Sequence, residues 1–586
     1  MGIAKVSMTF VQCDRRSWIS KLDPFDLASV LVLALLLVLV LATVKEYAVS
    51  NDEGLQHHYG ELIIAYYRSG FTDKSVFGYD NLYLYGGLFD IIAVLLSHIL
   101  PFNVYDIRHV MSALAGLGGV AAAWATARML YGPRAGLLAG VALAACGVWY
   151  GGMFNHTKDV PFAAAMMGAT FFLLRAARDL PAPRIAREDG RKRPLERDTI
   201  WFGILLGAAL GLRATGLLMV GYLGLVIALR LWGLRQDGWR RLLSYGARST
   251  ARFAPALAVA YVIMILSWPW ASLDLLNPAR AIFAFAHFHY PIRTLMAGHV
   301  YLMDDVPRWY EPDYLAIKLP LFVLIAAAAA LVATAASALR SAADSRESAR
   351  VRDIGVLVFT VAFPLACQII GHGPSFTGMR HFLFVVPPIA VLAGIGLEIC
   401  MARIEATGRI AAFAATAVAT TVIGWDVASL AQLHPYEYLF YNSLVGGLPG
   451  AARRYDTDYW VNIMPAAVED LARYVKQENL HTDPVKPPPH YTVAVCGERV
   501  AFEKEDADPR LQFSADWSHA DFFIAPTHMN CDEVLRGKLV GVIKRFGVTI
   551  GVVKDLRGVS PQARWSPVEV AHGPADGSAA PSQPHG

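Results

Sequence analysis

Charge is what this sequence has little of. Charged residues make up 17% of its 586 positions and hydrophobic residues 55%, whereas a soluble protein carries about a quarter charged residues. A chain that is water-soluble throughout is therefore excluded. No basic stripe with interleaved aromatics and no zinc-ligand spacing is present, so nucleic acid is not an expected partner. No glycine-rich phosphate loop or Rossmann pattern is found, so nothing in the sequence points to a nucleotide site. The six cysteines form no CxxC pair. Cys146, Cys367 and Cys400 lie in apolar runs as inert packing residues. A cleavable signal is missing too. The first apolar run begins near Leu27, after a polar lead with Arg15, Arg16 and Lys21, and no small-residue cleavage site follows it.

What the chain does have is long apolar runs. A helix needs about 20 apolar residues to cross the hydrocarbon core. Runs at 27–44, 109–129, 135–151, 161–178, 252–270, 314–338, 354–371, 382–400 and 408–430 qualify. The stretch 201–231 is too long for one span. Gly211-Leu-Arg213-Ala-Thr-Gly216 interrupts it, so it predicts two short helices with Arg213 at the turn. The expectation is an α-helical polytopic membrane protein with about 11 transmembrane helices.

Segment 84–100 is apolar but carries Gly86, Gly87, Asp90 and His98. Basic residues cluster at the N-terminus, in 175–197, 230–252 and 340–352, and at Arg403 and Arg409. These fall on one side only if 84–100 does not cross, so it is read as an interfacial amphipathic helix. The map gives a cytoplasmic segment 1–26, a membrane domain 27–430 with a first outer loop 45–108, an extracytoplasmic region 431–570 and a disordered tail 571–586. Residues 465–478 read as an amphipathic helix, and 491–495, 522–525, 539–543 and 548–553 as strands of a small α/β domain. An oxidising compartment permits a Cys496–Cys531 disulfide, but sequence alone does not place the two within bonding distance.

Candidate chemistry gathers on the outer side. Asp52 and Glu53 stand where the first span emerges, and adjacent carboxylates there are costly unless solvated or used. The plainer reading is a cap on a helix over 53–69. Lys158 and Asp159 lie in a short loop between spans, with Asp159 also suited to a helix first turn before Pro161. Arg213 is shaped for a phosphate, with snorkelling as the alternative. Arg380 opens another span on the same side as a second phosphate candidate. The loop 271–313 carries His287, His289, Arg293, His299, Asp304 and Asp305, types that bind divalent metals, but without tight ligand spacing. Aromatic runs at 434–442 and 455–460 suit interfacial anchoring or a sugar or lipid groove.

The Asp52-Glu53 pair after the first span, the Lys158-Asp159 loop and the Gly-Leu-Arg-Ala-Thr-Gly turn together resemble the GT-C superfamily. The likeness is strongest to glycosyltransferase family 39, the protein O-mannosyltransferase and aminoarabinose-transferase type, over roughly residues 20–430. The resemblance implies a fold whose first outer loop carries two interfacial helices. It implies a plasma (inner) membrane enzyme that moves a sugar from a polyprenyl-phosphate carrier to a lipid, glycan or protein acceptor, with inversion. By it Asp52 would be the base, Asp159 a second acid near the acceptor, and Arg213 would stand where members often have a lysine that meets the carrier phosphate; Lys158 and Arg380, read from their own positions, are the further phosphate candidates. His289 and Asp80 fall where some members bind a divalent metal. The acid-Lys-Pro that members often carry is reduced here to Asp80 in Tyr79-Asp80-Asn81-Leu82-Tyr83. A transporter or lipid flippase is the rival class, expected to show internal repeats and charges deep in the membrane. A scaffold with an outer binding domain is a further rival.

Overall fold

The computed structural model describes residues 23–178, 197–232, 238–340, 345–479, 489–506 and 508–566. Most of the predicted cytoplasmic segment, residues 179–196 of the basic stretch 175–197 and the tail from 571 lie outside the described residues. Among the described residues, nine helices are long and apolar enough to cross a membrane, or ten if a bent pair counts as one span. The sequence count of about eleven is reached only by adding the helix Arg197–Leu210. Its 14 residues reach about 21 Å at 1.5 Å per residue, short of a ~30 Å core.

Three run boundaries differ from the hydropathy reading. The run 135–151 is not one straight span: Pro133–Ala144 and Gly147–Asn155 meet at 71°. The segment after the last span crosses so closely that a β-carbon on Gly147 would lie 2.3 Å from the Glu437 carbonyl oxygen. The run 314–338 divides at Pro320 into helices Tyr310–Lys318 and Leu321–Arg340. Leu319, the residue before the proline, is extended, as steric conflict with the proline ring requires. The span predicted at 252–270 belongs to a longer helix, Trp239–Ser267, whose polar first half carries on the same backbone.

Helices Asp159–Arg178 and Arg380–Glu405 are the most enclosed, with 78% of their apolar windows buried. They pack with Val104–Tyr131, Pro133–Ala144 and Leu321–Arg340. Helix Arg409–Leu433 has no buried residue in its apolar window and lies on the outside of the bundle.

The first loop holds helices Glu53–Arg68 and Leu88–Ser97. The second has 10 residues, about 15 Å, too short to span, in keeping with the interfacial reading of 84–100. The loop docks through backbone on the interrupted 201–231 stretch and on the end of helix Trp239–Ser267. Leu88 N–H donates to the Gly211 carbonyl at 3.0 Å and Gly87 N–H to that of Ser267 at 2.9 Å. Side chains cannot fit there, since a β-carbon on Gly86 would lie 2.1 Å from the Gly211 oxygen. Two glycines thereby bring Tyr85 and Arg213 side by side.

After the last span, the chain folds against this end of the bundle. Helix Met464–Asn479 appears where its apolar periodicity predicts it. Five strands follow: β3 Tyr491–Val495, β4 Leu511–Phe513, β5 Phe522–Pro526, β6 Lys538–Arg545 and β7 Val548–Asp555, in sheet order β4-β3-β5-β7-β6. A two-stranded hairpin in the membrane domain, Arg293–Met296 with His299–Leu302, supplies β1 and β2. The β3 neighbours are parallel, and β7 runs antiparallel to β5 and β6. Strand β4, only three residues long, has no readable pattern of its own in the sequence. Cys496 and Cys531 are disulfide-bonded. The fold class read from the sequence, a polytopic helical membrane protein with a small C-terminal α/β domain, is the fold observed.

Candidate active site

Asp52 stands at the N-cap position of helix Glu53–Arg68, but its side chain makes no capping bond. Its backbone is left-handed, φ 76°, which costs a non-glycine residue about 1–2 kcal/mol. In that conformation Asp52 Oδ2 lies 3.4 Å from Arg380 Nη2, with the carboxylate partly open to solvent.

Asp159 is the first residue of its helix, the first-turn position that Pro161 suggests. Its buried carboxylate pairs with Arg213 and lies 3.8 Å from Arg380 Nε. His156 Nδ1 is 3.4 Å away. Arg380 thus sits between the two predicted acids, and Arg213 flanks the second. The Arg380 guanidinium carbon lies 4.6 Å from the centre of the Trp460 ring, an aromatic floor supplied from beyond the last span. The Tyr459 hydroxyl meets His156 Nε2 at 3.0 Å, and the Asn51 amide donates to the Tyr459 carbonyl.

Two other predicted residues belong to an adjoining buried network. Glu53 accepts from the Ser50 amide and hydroxyl and faces His109 Nε2 at 3.1 Å and Arg108 Nε at 3.6 Å. Burial alone pushes its carboxyl up, but His109, Arg108 and Ser50 outweigh it and hold the carboxyl below its usual range. Glu53 therefore ties the loop to the helix Val104–Tyr131 rather than facing the Asp52 cleft. Arg108 donates to Asp90 at 2.9 Å, both fully buried. Lys158 lies 3.7 Å from the second Asp90 oxygen and 4.9 Å from the Tyr85 ring centre. Burial pulls its ammonium pKa down, partly opposed by Asp90.

Asp80 and His289 are not brought into this cluster. Asp80 accepts from the Tyr290 hydroxyl at 2.9 Å, and His289 Nδ1 pairs with Asp304 at 2.6 Å. Among the described residues no group of three or more His, Cys, Asp or Glu could hold a metal ion.

Anion-binding capacity is left over in the cluster. Among the described residues, the buried Nε–H groups of Arg213 and Arg380 have no hydrogen-bond partner. Buried donors are rarely left so, and a guanidinium fork suits phosphate oxygens.

Residues 89–270 match the family profile described as dolichyl-phosphate-mannose-protein mannosyltransferase. The GT-C resemblance read from the sequence is met by that match. The matched segment holds Asp90, Arg108, Lys158, Asp159 and Arg213, while Asp52 and Arg380 lie outside it. No curated protein matches the chain. Among solved structures it is similar to ArnT from Cupriavidus metallidurans bound to undecaprenyl phosphate, at 18% identity and TM-score 0.43, covering 89% of this chain and 97% of that one. It is also similar to the oligosaccharyltransferase AglB from Archaeoglobus fulgidus in complex with an inhibitory peptide and a dolichol-phosphate, at 12% identity and TM-score 0.42, covering 87% and 70%.

Tyr85, Asp90, Arg108, Tyr459, Trp460 and Glu498 were not singled out as site residues by the sequence reading. Asp90 did carry a usable signal, as an acid inside an apolar helix. Trp460 sits in an aromatic run read as an anchor or groove. Arg108 and Glu498 gave none, because only the tertiary fold brings them here.

Proposed function

We propose that this chain is a membrane glycosyltransferase that moves a sugar from a polyprenyl-phosphate carrier to a hydroxyl acceptor at the non-cytoplasmic face of the inner membrane. The observation that carries the reading is the convergence of Asp52, Asp159, Arg213 and Arg380 at the end of the bundle covered by the C-terminal domain. The family match over 89–270 supports the reaction class. The one-sided distribution of basic loops supports the orientation.

In this reading Asp52 takes the acceptor proton as the hydroxyl attacks the anomeric carbon. Its carboxylate is the open one of the two acids, whereas Asp159 is held by Arg213. The bond to the carrier phosphate breaks as the new glycosidic bond forms, so the anomeric centre inverts. The departing phosphate is a stable anion and needs no acid. Arg213 and Arg380 stabilise its charge through donors already in place, with Lys158 behind them. Asp159 keeps both guanidinium groups oriented, and no step is routed through a metal.

The test compares surface glycolipids and glycans in cells that lack the gene, complemented with wild type or Asp52→Asn. The wild type restores a glycan species and Asp52→Asn, folded and membrane-inserted, does not. Restoration by Asp52→Asn at the wild-type level would remove the base assignment. Movement of a lipid-linked sugar across vesicles without covalent transfer would favour the flippase instead.

A further inference from the structure

An aspartate at a helix N-cap ordinarily turns its carboxylate onto the first free amides of its own helix. Asp52 does not. Another carboxylate has taken that place. Glu498, 446 residues along the chain, accepts the Asp52 amide on Oε1 at 2.6 Å. Its other oxygen lies against Gly54, where a β-carbon would stand only 3.3 Å from Oε2. The Glu498 side chain is half-buried, so these bonds are partly shielded from water at the positive end of the helix.

The segment that delivers Glu498 is anchored on three sides. The Cys496–Cys531 disulfide precedes it by two residues. Gly497 packs so closely on Val461 that a β-carbon would lie 3.2 Å from its methyl group. In the short helix that follows, Lys504 pairs with Asp106 at 3.1 Å, fixing the segment to the first turn of helix Val104–Tyr131. Burial pushes the Glu498 carboxyl up to about 7, and the nearby Asp52 and Glu53 charges add to this, while bonding from the Asp52 and Gly54 amides opposes it.

We propose that Glu498 of the C-terminal domain is a positioning residue for transfer: by capping the helix in place of Asp52, it holds Asp52 left-handed and leaves the Asp52 carboxylate free to face Arg380 and the acceptor. The proposal rests on the reading of Asp52 as the base. Glu498 acts through Asp52 and touches no substrate. The C-terminal domain is then a working part of the transfer site rather than an appendage.

The test uses the full-length protein in lipid nanodiscs and in cells lacking the gene, with Glu498→Ala and Glu498→Gln. Glutamine retains an oxygen acceptor for the Asp52 amide, and alanine retains none. Hydrogen exchange at 52–54 is expected to quicken about tenfold or more in Glu498→Ala, the loss of roughly one charge-assisted hydrogen bond, with protection of β3 to β7 unchanged. Surface glycan formation falls about tenfold or more, as misplacement of a reacting group predicts, while undecaprenyl phosphate titrated into the nanodiscs binds within about twofold of wild type. Glu498→Gln keeps most of both. Wild-type exchange and glycan levels in Glu498→Ala would overturn the positioning role alone, as would equal damage in the two variants. If exchange quickens as expected but deletion of the gene changes no surface glycan, the transferase reading fails and takes the positioning role with it.

Discussion

Arg380 Nη2 lies 3.4 Å from Asp52 Oδ2, and Nε of the same guanidinium lies 3.8 Å from Asp159 Oδ2. One planar cation therefore sets the spacing of two acids that are 107 residues apart in sequence. A lysine would keep the charge and lose the geometry. On the proposed function, Arg380→Lys is expected to weaken binding of a polyprenyl phosphate by about 10- to 100-fold, the value of a charge-assisted hydrogen bond of ~1.5–3 kcal/mol. Titration in nanodiscs measures it. Wild-type affinity in this variant would take Arg380 out of the phosphate site.

The pair Arg108–Asp90 is fully buried on both sides. Removing one partner strands the other charge, at a cost of about 3–5 kcal/mol. Arg108→Ala is expected to lower the Tm of the detergent-solubilised protein markedly and to loosen helix Leu88–Ser97. Glu53→Gln, which keeps its shape and part of its bonding to Ser50 and His109, is expected to cost less. Thermal unfolding of the two variants side by side checks the order.

The acids and cations of the cluster were legible in the sequence because ionisable residues beside apolar runs demand a reason. Asp52, Asp159, Arg213 and Arg380 all stood out in that way and converge in space. Glu53 stood out as strongly, yet it serves the packing of the loop. Adjacency in sequence put it next to Asp52, but Asp52 is a left-handed N-cap and Glu53 the first helical residue, and the Glu53 carboxylate turns to Ser50, His109 and Arg108. The count of spans was readable to within the ambiguities of one bent pair and one short helix. Lost to sequence were tertiary facts: the bend at Gly147, imposed by a segment some 290 residues away, and the capping of one domain by a side chain of the other.

The Cys496–Cys531 bond closes a 35-residue separation. Chain-entropy arguments give such a link about 3–4 kcal/mol. Cys531→Ser is expected to destabilise the β3–β7 sheet selectively, seen as faster hydrogen exchange there with the membrane helices unchanged. Uniform exchange across both parts would show that the two unfold as one unit.

Glu498 gives the protein a pH dependence of predictable sign. Its folded-state carboxyl, pushed up to about 7, lies above the ~4.3 of an unfolded glutamate. The stability it contributes is complete below the unfolded value and fades as pH rises through about 7. At ~1.4 kcal/mol per unit the loss is at most about 3–4 kcal/mol. Docking of the C-terminal domain should therefore loosen between pH 5 and 8, and Glu498→Gln should flatten that slope. Domain-selective proteolysis across this range reads it directly; a parallel slope in the glutamine variant would assign the effect to another group.

Asn462, encoded beyond the last membrane helix, accepts the Ala48 amide at 2.7 Å, close to where the first helix ends. With Tyr459 and Glu498 it joins the final quarter of the polypeptide to the opening one. If the helices insert in order during biosynthesis, the contacts of Tyr459, Asn462 and Glu498 with residues 48–54 form only once the carboxyl-terminal part has been made and has folded back. Until then the chain carries Asp52, Asp159, Arg213 and Arg380 without the wall that Tyr459, Trp460 and Glu498 build beside them, so on the proposed function a chain still on the ribosome is expected to be inactive.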